Sequence, residues 1–248
     1  SNNILRQFLI LFYRFVFSAK RVQVIFQNPD DQRVFAENKI AKHEQHNIIY
    51  GSGVNTDLFS PKKHKRNYDS VRFALFARMI GEKGISEFIE AAFILNKKYP
   101  KTEFILVGDL DPGNPSSYSH KWIMEKIGIG VVKWLGHVED VKNVMKKTDI
   151  IVLPTYYKEG VPRSLVEAAS LGLPIITTNI PGCREIVKNN WNGLLISPKD
   201  VPALIEAMIW MIENTQKRIE MGKNGRKLVL EKFDAKIVVQ QTKNIYSL

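Results

Sequence analysis

Glu159 and Glu167 stand eight positions apart in Leu153-Pro-Thr-Tyr-Tyr-Lys-Glu159-Gly-Val-Pro-Arg-Ser-Leu-Val-Glu167-Ala-Ala-Ser-Leu-Gly172, a stretch that follows an apolar run and opens a helix. Pro162 suits the first helical turn and Gly172 a C-terminal stop. The exposed N–H groups around Arg163 and Ser164 then point out of the strand ends and favour an anion. In an open α/β sheet ligands sit outside the carboxyl ends of the strands, so a phosphate there needs only this geometry and the helix dipole. Glu167 lies roughly 7 Å further along the axis, at about 1.5 Å rise per residue, where its carboxylate suits a ribose better than a phosphate. Glu159 stays in the loop and reaches whatever is attached beyond the phosphates. The plain alternative is two solvated glutamates in an ordinary βα unit.

A second constellation, Arg78-Met-Ile-Gly-Glu-Lys83-Gly84, also sits between a strand and a helix. An arginine fork and a lysine point charge aimed at one crevice would neutralise a pyrophosphate and stabilise a departing diphosphate. Alone it reads as a surface pair; two strand-end sites of matched sign make that reading poorer. Asp109-Leu-Asp111 has the D-x-D spacing of some metal sites. It falls in the excursion Gly108 to Ser117, rich in Pro and Gly, where aspartates are ordinary turn residues. Gly51-Ser-Gly53-Val-Asn-Thr56 has only two glycines of a dinucleotide fingerprint and reads as a hinge. No nucleophile has an adjacent base, and no Cys/His group has metal-ligand spacing.

These residues need a scaffold, and the apolar pattern from Val71 onward provides one. Short apolar runs alternate with helices of period 3.6, the signature of a parallel sheet with crossover helices. Strands are expected at 72–77, 103–107, 131–134, 150–153, 175–177 and 193–196. One helix carries Ile85, Phe88, Ile89, Ala92 and Phe93 as its inward stripe, and another runs from Val201 to Ile212 behind an Asp200 cap. The fold class is α/β, a Rossmann-like doubly wound parallel sheet. Residues 1–60 differ: a helix, a strand at 22–26, a turn at Asn28-Pro29-Asp30, a short helix and a strand at 47–50, too little for a closed sheet. The run Lys62-Lys63-His64-Lys65-Arg66 marks a linker, 61–70, with anionic membrane contact as the other reading.

Taken together, the two constellations resemble those of retaining nucleotide-sugar glycosyltransferases of GT-B architecture, in particular the fourth family, rich in bacterial glycan-assembly enzymes. Its E-x(7)-E matches Glu159 and Glu167, its R-x(4)-K-G matches Arg78, Lys83 and Gly84, and its Gly-rich strand end matches Leu106-Val-Gly108-Asp. Trp134-Leu-Gly136-His-Val138, Asp149-Ile-Ile-Val-Leu-Pro154, Pro181-Gly-Cys-Arg-Glu185 and Phe26-Gln-Asn-Pro-Asp-Asp31 follow in the family's order. The resemblance implies that Arg78 and Lys83 hold the donor diphosphate, Glu167 the ribose and Glu159 the sugar. Amides of Gly160, Val161, Arg163 and Ser164 cradle donor oxygens, while Pro162, with no N–H, contributes only shape. Gly108 lies beneath the donor and the Val138 backbone meets the base. His137 is expected in a turn or core role. Retention by front-face attack, with the leaving phosphate helping to deprotonate the acceptor, needs no metal and no cofactor.

By the same resemblance, residues 1–60 are the end of an acceptor domain, 71–232 the donor-binding domain and 233–248 a helix that crosses back. Such a piece binds the donor and turns over little by itself. The acceptor would be a glycan or a polyprenyl-diphosphate-linked glycan, and the donor a UDP-sugar, with a GDP-sugar as the alternative. The rival readings are a nucleotide-sugar epimerase of the same architecture and a non-catalytic sugar-nucleotide binder.

The chain has 248 residues, 44% of them hydrophobic, with 36 Lys plus Arg against 25 Asp plus Glu, net +11. This excludes a disordered chain or a small disulfide scaffold. The lone Cys183 points to a reducing, cytoplasmic setting. Nucleic acid is not an expected partner, because the charge is spread and no base-reading element accompanies it. Residues 4–17 are apolar but interrupted by Arg6, Gln7 and Arg14 and too short to span a bilayer; with no small-residue cleavage site after them and a core strand expected at 22–26, they do not read as a signal peptide. Core packing is the expectation for them, with contact at the inner membrane leaflet as the alternative.

Overall fold

A computed structural model describes residues 2–19, 22–61, 70–128 and 130–247. In chain order the elements are α1 (Asn2–Val16), β1 (Val24–Phe26), α2 (Pro29–Glu37), β2 (His46–Ile48), β3 (Arg72–Phe76), α3 (Ile85–Lys98), β4 (Glu103–Val107), α4 (His120–Ile127) and β5 (Val132–Trp134). There follow α5 (Val141–Lys146), β6 (Ile150–Leu153), α6 (Arg163–Ser170), β7 (Ile175–Thr178), α7 (Cys183–Ile186), β8 (Gly193–Ile196), α8 (Val201–Glu213), α9 (Thr215–Lys232) and α10 (Ala235–Ser247). Six strands pair in parallel in the order β5-β4-β3-β6-β7-β8. The expected α/β class and doubly wound parallel sheet are what the chain adopts.

That order makes the site. From β3 the chain winds outward through β4 to β5, then returns to β6 beside β3 and winds the other way to β8. The β3/β6 boundary is therefore the topological switch point, where the loops leaving two adjacent strands diverge and open a crevice. Strands apolar on both faces carry the sheet, because helices cover both sides. Phe73, Ala74, Leu75, Ile150, Ile151, Val152, Ile175 and Ile176 are completely buried. The α3 stripe packs as its spacing requires, with Ile85, Phe88, Ile89 and Ala92 buried. Asp200 caps α8, accepting from the Ala203 amide at 2.9 Å.

The first 60 residues form a two-stranded parallel pair, β1 with β2, flanked by helices. Asn28 caps α2 by accepting from the Asp31 amide at 2.8 Å, with Pro29 in the first turn. The chain's end returns to this region. Val54 bridges Asp234, the Val54 amide donates to the Phe233 carbonyl at 2.8 Å, and Lys236 lies 3.3 Å from Asp57. The basic run Lys62 to Arg66 lies outside the described residues.

Core packing of residues 4–17 is not what the structure shows. Among the described residues, the α1 stripe of Leu5, Phe8, Phe12 and Phe15 stays open, with Phe8 64% and Phe15 80% exposed. Only the opposite side is engaged. Tyr13 and Phe17 contact the Phe35 ring, and Arg14 donates to the Asn38 carbonyl at the end of α2. The spacing defines an apolar face, but two short strands and α2 are too small to cover it. No helix among the described residues is long and apolar enough to cross a membrane.

Candidate functional site

The loop after β3 turns tightly. Arg78 leads into a single 3-10 turn, Gly81–Lys83, and Gly84 then adopts a left-handed conformation, φ 75° and ψ 30°, before α3 begins. The loop after β6 runs alongside. The Tyr156 and Tyr157 amides and the Thr155 hydroxyl all donate to the Glu82 carbonyl, at 2.8, 3.2 and 2.9 Å. One carbonyl thus binds the two lips of the switch point together, which sets the spacing of everything they carry.

Lys83 and Glu159, 76 residues apart, meet as a direct ion pair across this junction. The lysine side chain is 9% exposed and the glutamate 26%, and Lys83 Nζ also sits 4.7 Å from the Tyr157 ring centroid. Arg78, 53% exposed, does not join them. Its Nη1 meets Asp111 Oδ2 at 2.5 Å. Both cations are therefore held by carboxylates, whereas the sequence suggested bare positive charge. Asp109 is the turn residue its setting implied, accepting from the Leu110 amide at 2.9 Å, but Asp111 is not merely that.

Pro162 sits just ahead of α6 as its N-cap, one position earlier than a first-turn proline. Leu165 N–H reaches the Pro162 carbonyl at 3.1 Å, and the amides of Arg163 and Ser164 precede that bond at the helix mouth. Glu167 is buried in α6, and its Oε1 accepts from Arg163 Nε at 2.8 Å, an i,i+4 pair whose arginine is 75% exposed. Val161 is buried beside the half-buried Gly160 and Ser164. A side chain at Gly160 would run into the Gln27 side chain, and one at Gly182 would run into the Gly160 backbone. Gln27, just after β1, thus touches the loop between the two glutamates, a contact with no signal in the local sequence.

Two further residues stand on the β4/β5 side. The Gly108 amide donates to the Gly136 carbonyl at 2.9 Å, joining the ends of β4 and β5, and Val138 is half-buried just beyond. His137 is exposed. Cys183 is fully buried beneath the lips, and burial pushes its thiol up to about 11, against hydrogen bonds from Thr177 and Thr178 that act the other way. It stays protonated at neutral pH and offers no nucleophile.

A doubly wound parallel sheet with its crevice at the β3/β6 switch point defines a Rossmann-like α/β class of domain, of the kind found in GT-B folds. A family model for glycosyl transferases group 1 matches residues 57–228, and the chain belongs to that family. It is 32% identical over 235 residues to an N,N'-diacetylbacillosaminyl-diphospho-undecaprenol α-1,3-N-acetylgalactosaminyltransferase of Campylobacter jejuni, covering 90% of this chain and 60% of that protein. It is 30% identical to a UDP-Gal:α-D-GlcNAc-diphosphoundecaprenol α-1,3-galactosyltransferase of Escherichia coli, over 80% of this chain and 53% of that one. The chain thus spans little more than half the length of these relatives. Among solved structures, HepE of Anabaena in complex with UDP superposes with a TM-score of 0.79 at 24% identity, over 91% of this chain and 64% of that one. The C-terminal domain of a glycosyl transferase group 1 protein of Francisella tularensis superposes with a TM-score of 0.63 at 25% identity, over 73% of this chain and 99% of that domain.

Proposed function

We propose that this chain supplies the donor-binding half of a retaining glycosyltransferase that moves a sugar from a UDP-sugar to a polyprenyl-diphosphate-linked glycan in bacterial surface-polysaccharide assembly. The observation that carries the reading is the pairing of Lys83 and Glu159 across the switch-point crevice. It joins both constellations at the place where an α/β sheet binds nucleotides. The two relatives named for diphospho-undecaprenol substrates support the acceptor class, and the UDP-bound Anabaena structure supports the base.

In this reading Lys83 and Arg78 hold the diphosphate and stabilise the charge that develops as the glycosidic bond breaks, the differential stabilisation that lowers a barrier. The amides at the mouth of α6 take the outer oxygens, with Gly160, Val161 and Pro162 shaping the loop beneath them. Glu167, fixed by Arg163, accepts from the ribose hydroxyls, and Glu159 faces the sugar. Gly108 and Val138 line the base side. No metal is needed, because the cations and amides supply the charge stabilisation. Residues 71–232 are the donor-binding unit and α10 the segment that returns to residues 1–60.

Calorimetric titration with UDP, GDP and ADP, with and without magnesium, tests this. UDP is expected to bind without metal, and Glu167→Ala and Arg78→Ala each to weaken it about tenfold, the value of a charge-assisted hydrogen bond. If no diphosphate binds, or only with magnesium, the reading fails. The open α1 face and the net charge of +11 suit the anionic leaflet that would carry a lipid-linked acceptor. Flotation with vesicles containing anionic phospholipid should recover the chain, and Phe8→Ser with Phe12→Ser should abolish recovery. Equal recovery of the double variant would remove the membrane from this account.

A further inference from the structure

The strap from Asp109 to Ser117 lies along the Arg78 loop and is laced to it. Met79 N–H donates to the Asp109 carbonyl, Gly81 N–H to the Ser116 carbonyl and Tyr118 N–H to the Met79 carbonyl, each at 2.9 Å, and Ile80 bridges Ser117 antiparallel. Asp111 is fixed within the strap. Its amide donates to Ser117 Oγ at 3.0 Å, and its carbonyl accepts from the Asn114 amide at 2.8 Å. With its backbone held in the strap, Asp111 places its Oδ2 2.5 Å from Arg78 Nη1. Asp111 belongs to neither the E-x(7)-E nor the R-x(4)-K-G set.

We propose that Asp111 is a stand-in anion: it holds the Arg78 guanidinium while the diphosphate site is empty and yields it to the diphosphate, so that it lowers the affinity for donor and product alike. The inference rests on the functional reading above. Binding is then an exchange of partners at Arg78. The incoming diphosphate gains a charged hydrogen bond only by displacing one already made. Because Arg78 is half exposed, the pair it gives up is a weak one, so Asp111 trims the affinity without blocking the site. A product that leaves readily is the consequence.

The test is UDP titration of the wild type, Asp111→Asn, Arg78→Ala and the double variant, with dissociation rates measured by stopped flow. Asp111→Asn is expected to tighten UDP about two- to fivefold, mainly through slower release, as expected for loss of a half-exposed competing ion pair. In the Arg78→Ala background the same substitution should change nothing. A loss of folding cannot produce a gain in affinity, so the expected sign is not a structural artefact. Unchanged or weaker binding by Asp111→Asn overturns the proposal while leaving the diphosphate site intact. Equal tightening with and without Arg78 also overturns it, since the effect would then be long-range charge. Failure of the wild type to bind any nucleoside diphosphate overturns it together with the functional reading.

Discussion

Lys83→Met is expected to weaken UDP binding about ten- to a hundredfold, as the loss of a charged hydrogen bond worth about 1.5–3 kcal/mol requires. Methionine keeps the length and apolar volume of a side chain that is only 9% exposed, so the variant isolates the charge. The effect should exceed that of Arg78→Ala, because a buried cation interacts in a lower dielectric than one 53% exposed. Removing the lysine also leaves Glu159 without its partner, and that carboxylate would itself repel a diphosphate. Lys83→Met with Glu159→Gln separates the two effects. If Lys83 grips the phosphate, the double variant stays weak. Recovery to wild-type affinity would mean that the lysine only masks Glu159, and its role as a diphosphate ligand would be lost.

The sheet was legible because its central strands β3, β4 and β6 are largely apolar runs of four or five residues bounded by turns, and such runs have few alternatives between crossover helices. β2 was not. The apolar run ends at Tyr50, yet the strand spans His46–Ile48, since its neighbour β1 offers three residues before Asn28 turns away to cap α2. The Ile49 amide makes the last bond, to Phe26 at 2.9 Å, and Tyr50 has no strand beside it. The same logic holds at the site. Arg78, Lys83, Glu159 and Glu167 could be singled out by type and spacing, and their loops could be placed at strand ends. Which charges meet depends on strand order. Lys83 reaches Glu159 because β3 lies beside β6, and Arg78 meets Asp111 because the strap after β4 doubles back. Neither adjacency is a property of local sequence. Asp111 is the turn residue its Pro- and Gly-rich loop implies, accepting from the Asn114 amide, but nothing local signals its pairing with Arg78.

Gly84→Ala should be the most damaging single substitution in the site, costing about 3 kcal/mol or more and removing UDP binding. The left-handed backbone, φ 75°, costs a side-chain-bearing residue about 1–2 kcal/mol by itself. An added Cβ would also lie 2.8 Å from the Pro154 carbonyl carbon, where backbone cannot move aside cheaply. Gly84 is pinned on both sides, since its amide donates to the Gly81 carbonyl and its carbonyl accepts from the Phe88 amide, each at 3.0 Å. Relief of the clash must therefore push the β3 and β6 loops apart. That motion strains the bonds from Tyr156, Tyr157 and Thr155 to the Glu82 carbonyl and moves Lys83 away from Glu159. Gly113→Ala is the control: an added Cβ there meets nothing within 4 Å, and stability should stay within about 0.5 kcal/mol. Urea unfolding gives the stability. UDP titration at a temperature where the Gly84→Ala protein is still folded gives the binding. A folded variant with normal stability and normal affinity would show that the two lips do not depend on each other, and the switch-point account of the site would fall with that result.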